Sequence, residues 1–209
     1  MSDLTVIYYS SNREGPHFEG RVRRTLRRAI ENLPVIAVTQ KEVNFGRNIC
    51  IGDVGASLEN MLHQIKIGAL VAQTRFVALA ESDTLYHPSY FAFRPDRDDT
   101  FYYTDRFYVL WKAKHRIFWP KRRREFSAVV GRKHLIETIE KVQTNLKQYV
   151  VTTIGKLSRQ ETFHPEAAVI SLKTQQGMNY GCPISQEGCT RELPYWGTAA
   201  EVHKRYWRR

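Results

Sequence analysis

The stretch FVALAESDTLYHPSYF, Phe76 to Phe91, decides how the chain reads. Phe76 to Ala80 is apolar at every position, the pattern of a central parallel strand covered on both faces. It runs directly into Glu81-Ser82-Asp83 and then into a turn containing Pro88. Carboxylates at the exit of a buried strand are unfavourable unless a cation compensates them. In an open parallel sheet, ligands bind in the crevice beyond the carboxyl ends of the strands. Glu81 and Asp83, two positions apart, can face one divalent ion. Oxygen ligands suit Mg2+ or Mn2+, which complete their shells with substrate phosphates. The alternative is structural, with Glu81 capping the next turn and Asp83 paired to an arginine.

Upstream, Leu4 to Tyr9 (LTVIYY) reads as a buried strand closed by Ser10-Ser11-Asn12. From His17 to Leu33, Phe18, Val22, Leu26, Ile30 and Leu33 form one helical stripe, flanked by Arg21, Arg24 and Arg28. Pro34 follows, and Val35 to Thr39 is a second strand, so the order implies a parallel βαβ unit. Asn44 to Gly55 reads as a glycine-rich loop. Ser57 then caps a helix whose stripe is Leu58, Met61, Leu62, Ile65, Ala69 and Ala72.

Downstream, Phe101 to Trp111 alternates like a single strand, and Phe126 to Val130 resembles another. Residues 132–149 read as a helix on Leu135, Ile139, Val142 and Leu146. Ala167 to Leu172 is a last strand, and a short basic helix follows Thr198. With no repeat or low-complexity linker, residues 1–209 read as a single α/β domain. The expected fold is a mostly parallel central sheet flanked by helices, with a smaller mixed C-terminal region.

The formal net charge of +11 over 209 residues favours a polyanionic partner: nucleic acid, anionic lipid or a phosphate-bearing substrate. A basic surface kept for solubility is the plainer alternative. Three cysteines, Cys50, Cys182 and Cys189, cannot all pair, which points to a reduced, cytoplasmic protein. Cys182 and Cys189 invite a zinc or disulfide reading but lack a second pair. No apolar run approaches the roughly 20 residues of a membrane span, and the N-terminus MSDLTVIYYSS lacks the basic start of a signal peptide.

Leu4 to Phe91 resembles the nucleotide-sugar-binding half of a GT-A glycosyltransferase, where a strand after the βαβ unit stops at a D-x-D-type motif. Asn60 to Phe91 is similar to small phage and bacterial glycosyltransferase-like proteins, whose acidic motif precedes an LY-x-P-x-x-F segment. YYTDRFYVLW (Tyr102 to Trp111) and YWG (Tyr195 to Gly197) fit that group loosely. The resemblance implies a GT-A-like fold, with residues 1–110 binding the nucleotide-sugar and 111–209 the acceptor. It implies that Ser10 and Asn12 contact the nucleoside, Gln40 reads the base edge, and Arg47 reaches the phosphates. Glu81 and Asp83 would hold Mn2+ or Mg2+, and the donor would be a nucleotide-sugar such as a UDP-sugar. The chain departs from the group in two places. The first acid of the motif is Glu, and the stretch matching an IDIRH-like strand is Ile170-Ser171-Leu172-Lys173-Thr174, without its histidine. The third metal ligand is therefore unassigned, and nearby His164 reads as a loop residue.

An inverting transfer needs a carboxylate to take the acceptor's proton. Asp105, inside the aromatic run YYTDRFY, is the candidate, with a salt bridge to Arg106 or a neighbour as the structural alternative. Lys112 to Arg124 (KAKHRIFWPKRRR) carries Lys112, Lys114, Arg116, Lys121, Arg122, Arg123 and Arg124, with Phe118 and Trp119 among them. Cations interleaved with exposed aromatics suit a nucleic-acid backbone and an unstacked base. The tail HKRYWRR repeats the mixture. The acceptor read from this is a hydroxymethylated pyrimidine in phage-type DNA, flipped out to reach the donor. Two alternatives stay open: the same chemistry on a cell-envelope saccharide, lipid or protein, and a non-enzymatic nucleic-acid-binding protein.

Overall fold

A computed structural model of the chain describes residues 3–113, 116–121, 127–143, 158–174 and 187–208. Strand β1 (Leu4–Ser10) is buried at every position because both of its faces are covered. Leu4, Val6 and Tyr8 point to one apolar core, while Ile7 and Tyr9 point to another. On the first face lies α1 (Pro16–Ile30), whose Leu26, Ala29 and Ile30 reach the sheet. On the second lies α2 (Leu58–Val71), through Leu62, Ile65 and Ala69.

β1 pairs in parallel with β2 (Val35–Thr39) on one side and with β4 (Phe76–Glu81) on the other. The βαβ reading therefore holds. β3 (Arg47–Cys50) adds in parallel to β2, where the sequence suggested only a loop. Beyond β4 the direction reverses once, at β9 (Ala128–Gly131), which runs antiparallel to β4 and to β6 (Thr100–Thr104). β10 (Arg159–Phe163) closes the edge in parallel with β6. The seven strands run in the order β10-β6-β9-β4-β1-β2-β3. α4 (Arg132–Gln143) lies beside α2 through Leu135, Ile139 and Val142, and Leu146 falls outside the described residues.

The aromatic run Phe101–Trp111 is not one strand. It breaks at Asp105-Arg106, and its second half, β7 (Phe107–Trp111), joins a smaller sheet with β5 (Thr84–Leu85), β11 (Val169–Lys173) and β8 (Trp119–Pro120). Its order is β5-β11-β7-β8. Short α3 (Pro88–Ala92) follows β5 and packs Tyr90 and Phe91 against the central sheet. A third core joins the smaller sheet to the start of α1 and to α5 (Ala199–Trp207). α5 follows a hairpin of β12 (Glu192–Leu193) and β13 (Gly197–Thr198), and a capping box between Thr198 and Glu201 fixes its start.

One glycine sets how closely these layers meet. A Cβ on Gly68 would lie 2.5 Å from Ile7 Cγ2, so only glycine lets α2 approach β1 this closely. This seats the first turns of α2 beside the carboxyl ends of β1 and β2.

Candidate active site

The carboxyl edge of β1, β2 and β4 opens into a pocket lined by four groups of residues. The loop after β1 gives Ser10, Ser11, Arg13 and Glu14; Gln40 follows β2; Gly55, Ser57, Asn60 and Gln64 come from the start of α2. Glu81, Ser82, Asp83 and Lys173 complete it. Helix N-termini favour anions because their first N–H groups lack intrahelical partners. Here Ser57 Oγ accepts from Asn60 N at 3.1 Å and caps the first turn.

The loop after β1 is held by a buried acid. Glu19, 2% exposed, accepts from Ser10 Oγ (3.1 Å), Asn12 Nδ2 (3.0 Å) and Arg23 (3.1 Å). Its burial raises its proton affinity, and these donors pull against that shift. Asn12 Oδ1 accepts from the backbone N–H groups of Gln40 and Lys41, both at 2.9 Å, with its own φ at 54°. Asn12 therefore ties the two strand ends together and does not itself line the pocket, unlike Ser10 and Gln40.

The acidic motif is the corner at which the chain leaves the central sheet for the smaller one. β4 ends at Glu81 and β5 begins at Thr84. A ring of hydrogen bonds fixes Glu81: its N–H donates to Tyr86 Oη (3.1 Å), Tyr86 bonds Ser127 Oγ (2.8 Å), and Ser127 donates to Glu81 Oε1 (3.2 Å). Tyr86 is wholly buried, and burial first, then the charge on Glu81, raises its pKa far above the phenolic range. Asp83 is fixed through its backbone, since Leu172 N donates to Asp83 O at 2.7 Å. That bond brings β11 alongside and delivers Lys173. Lys173 Nζ lies 3.6 Å from Asp83 Oδ2, with the side chains 4% and 14% exposed. The structural alternative for Asp83 anticipated an arginine; the cation found there is a lysine.

For a divalent ion the site offers Glu81 and Asp83, the oxygen ligands such ions prefer. Among the described residues no group of three or more His, Cys, Asp or Glu side chains gathers to hold a metal. The cation already in contact with Asp83 is an ammonium, so the set gives a divalent ion two ligands and a competitor.

Other expected residues lie elsewhere. Arg47 begins β3, at the amino edge of the sheet, paired with Ile36 while Cys50 pairs with Thr39. It is exposed, about 10 Å along the strand from the carboxyl edge, and the expectation that it reaches the phosphates is corrected. Arg13 is the arginine that lines the pocket. Asp105 stands at the β6–β7 break, level with Glu81, because the row Ala78–Val129–Tyr102 lies three residues before each. Two strand spacings, about 10 Å, separate them. Asp105 Oδ2 lies 2.9 Å from His164 Nδ1, and both side chains are well exposed. It is not among the pocket's lining residues.

Glu14, which sequence reasoning passed over, faces both this pocket and an adjoining groove of about 640 Å³ formed with Phe18, Lys112, Thr174 and Trp207. Its carboxylate accepts from Thr174 Oγ1. Burial raises its proton affinity, Thr174 opposes that, and the charge of Asp83 adds to it. No sequence signal marks Glu14 or Lys173, because each gains its meaning from a strand or loop distant along the chain.

The basic segment is also rearranged. Lys112 and Arg116 are exposed, Trp119 is half-buried in β8, and Lys114 and Arg122, Arg123 and Arg124 lie outside the described residues, as does Cys182. Phe118 is fully buried in the third core. Lys121 is 6% exposed, with its ammonium 5.4 Å over the Phe107 ring. Neither can meet a nucleic acid, so their place in the expected binding surface is corrected. The tail packs inward too: Trp207 stacks on Phe18 at 5.8 Å, and Arg21 donates to the backbone carbonyls of Arg205 and Arg208.

No family model and no curated protein sequence matches the chain. Solved structures do. The chain is similar to the mannosyltransferase PcManGT from Pyrobaculum calidifontis in complex with GDP-Man and Mn2+, at 14% identity and TM-score 0.52, covering 85% of this chain and 58% of that one. It is similar to the glycosyltransferase GlyE of Streptococcus pneumoniae TIGR4 at 8% identity and TM-score 0.53, covering 87% and 57%. It is also similar to S. aureus TarS 1-349 in complex with UDP-GlcNAc, at 10% identity and TM-score 0.53, covering 87% and 62%. At these identities the likeness is one of fold. The fold is thus GT-A-like, a mostly parallel central sheet flanked by helices. The chain spans about three-fifths of the length of these glycosyltransferases. Among the described residues no helix is long and apolar enough to cross a membrane.

Proposed function

We propose that the protein is a glycosyltransferase that moves a sugar from a nucleotide-diphosphate donor to a hydroxyl acceptor. The observation that carries this is the sharing of one pocket by the Glu81-Ser82-Asp83 corner, the loop after β1 and the N-terminus of α2. Arg13 and the start of α2 suit the donor's phosphates, and Ser10 and Gln40 suit its nucleoside. Glu81 and Asp83 would hold Mn2+ or Mg2+, whose chemistry when bound is to shield the departing diphosphate.

In the transfer, the acceptor oxygen bonds to the anomeric carbon as the bond from that carbon to the phosphate oxygen breaks. The diphosphate leaves with the electron pair, and the acceptor's proton passes to a carboxylate. Glu14 suits this better than Asp105, since it faces both the pocket and the groove and binds protons more tightly than an open carboxylate. For the acceptor the support is charge: a formal +11, with Lys112 and Arg116 exposed, favours a polyanion such as DNA over a neutral saccharide, and a hydroxymethylated pyrimidine is the hydroxyl that DNA would offer.

The test is incubation with UDP- and GDP-sugars, Mn2+ and either plain or hydroxymethylated DNA, following nucleoside diphosphate release and nucleoside mass. A mass gain on hydroxymethylated DNA alone supports the full proposal. Diphosphate release without a DNA product moves the acceptor to a cell-envelope saccharide, lipid or protein. No turnover with any donor, together with tight DNA binding unchanged by Glu81→Ala and Asp83→Ala, leaves a non-enzymatic nucleic-acid-binding protein.

A further inference from the structure

We infer that the joined outer faces of α1 and α5 are the surface on which a DNA strand lies, its phosphodiester backbone held by arginines of both helices. The inference deepens the proposed function, and rests on it for the use made of the strand but not for the binding itself.

Periodicity makes this face basic. Val22, Leu26 and Ile30 turn inward, so Arg21, Arg24 and Arg28, at steps of three and four, stand together on the opposite side of α1. Arg24 and Arg28 are exposed. In α5, Ala199, Val202 and Tyr206 are buried, while Lys204 and Arg205, with Arg208 just beyond, are exposed. The two faces are locked into one. Arg21 donates to the backbone carbonyls of Arg205 and Arg208, and Thr25 Oγ1 bonds Tyr206 Oη at 2.6 Å. A carbonyl partner leaves the Arg21 charge uncancelled. The acids of the two helices are engaged elsewhere: Glu19 is buried against Ser10 and Arg23, and Glu201 closes the capping box. Among the described residues Arg24, Arg28 and Arg208 pair with no carboxylate. Like charges this close repel one another until an anion lies over them.

The chemistry selects a nucleic-acid backbone over a bilayer. A membrane-surface helix sets large apolar residues beside its cations. Here the apolar residues of both helices are the buried ones, and the exposed large ones among the described residues, Val54, Leu58, Leu70 and Tyr195, lie on neither helix. The basic face also leads into the second groove. Arg21 and Arg208 line that groove with Lys112, Phe18 and Trp207, and Glu14 stands where it meets the donor pocket. A strand running along Arg28, Arg24 and Arg21 therefore arrives at Glu14, where one unstacked nucleotide can enter.

The test titrates the whole chain against a fluorescein-labelled DNA strand of about 20 nucleotides, read by anisotropy across a salt series. Arg24→Gln/Arg28→Gln is expected to weaken binding at least about 10-fold near physiological salt. It should also flatten the slope of log affinity against log salt by about 1.4, the value for two phosphate contacts on a single strand. Lys41→Gln/Lys133→Gln removes the same charge from exposed positions on neither helix, and should change affinity less than about 3-fold. Equal losses from the two variants would mean that net charge alone attracts the strand, and would overturn the inference. An unchanged salt slope in Arg24→Gln/Arg28→Gln would overturn it as well. So would binding of phosphatidylserine vesicles in place of the strand. The titration contains no nucleotide-sugar, so an absence of sugar transfer would remove the proposed function and leave this surface standing.

Discussion

The chain passes from the central sheet into the smaller one at β4–β5, β6–β7 and β10–β11, and at the first two of these an acid stands at the strand exit. At Glu81-Ser82-Asp83, between β4 and β5, the carboxylates are enclosed: Glu81 by the Tyr86–Ser127 ring, Asp83 by Lys173. At Asp105-Arg106, between β6 and β7, the carboxylate meets His164 in solvent, and Arg106 donates to Glu166 O. Both corners lie at the carboxyl edge of the sheet, level in register. What separates them is their surroundings. A strand exit gives an acid its place, and the neighbouring strand decides whether its charge is felt by a ligand or screened by water.

The largest effect that could break this contrast is catalytic. Glu14→Gln, beside the first corner, should lower the rate of sugar transfer by at least about 100-fold, the range for loss of a general base, with nucleotide affinity kept. Asp105→Asn should change the rate less than about 3-fold. A reversed order, measured as nucleoside diphosphate release, would make the outer corner the working one.

Stability provides the next measure. Asp83→Ala removes the carboxylate beside a buried ammonium and should cost about 3 kcal/mol in urea unfolding, as breaking buried pairs does. Tyr86→Phe deprives the Glu81 N–H and Ser127 of a buried partner and should cost about 2 kcal/mol. His164→Ala at the exposed corner should cost less than about 0.5 kcal/mol. Equal losses at both corners would erase the distinction.

The finest probe is pH. Glu14 binds its proton more tightly folded than unfolded, so the stability it contributes is full below the unfolded carboxylate pKa, about 4.3. That contribution is lost as pH rises through the folded value. Glu14→Gln should therefore gain stability relative to the wild type as pH rises from 4 towards neutrality, read from midpoints of urea unfolding. A difference that does not change with pH would mean that Glu14 is solvated.

Much of the N-terminal half was legible in the sequence because its strands and helices are written in apolar periodicity. Leu4–Tyr9, Val35–Thr39 and Phe76–Ala80 all became strands of the parallel core. α1 and α2 kept most of the stripes read for them, but α1 stops at Ile30 and leaves Leu33 outside, Leu58 at the start of α2 is exposed, and Ala72 lies just past its end. The acidic pair was legible as well, since apolar residues preceding an acid define a strand exit. Less survived where local composition and tertiary burial disagree. Phe118 and Lys121 sit in a basic stretch and look solvent-facing, yet one is a core residue and the other covers an aromatic ring. Phe101–Trp111 alternates without a breaker, so nothing local announces that its halves belong to different sheets. Arg47 was misplaced because β3 forms by pairing with β2 and not by its own propensity. Lys173 gave no sign at all: only the pairing of β11 with β5 carries it to Asp83.

The docking of α5 on α1 bears on how the molecule is made. Phe18 and Val22 share a core with Val202 and Tyr206, and Thr25 Oγ1 bonds Tyr206 Oη across a sequence separation of 181 residues. During synthesis on the ribosome, the inner face of α1 is finished long before its cover emerges. The nascent chain must carry that part of the apolar stripe uncovered until residues 199–207 have emerged. Folding of the third core is thus timed to the last helix, and a ribosome stalled before residue 202 would hold a product with Phe18 and Val22 open to aggregation.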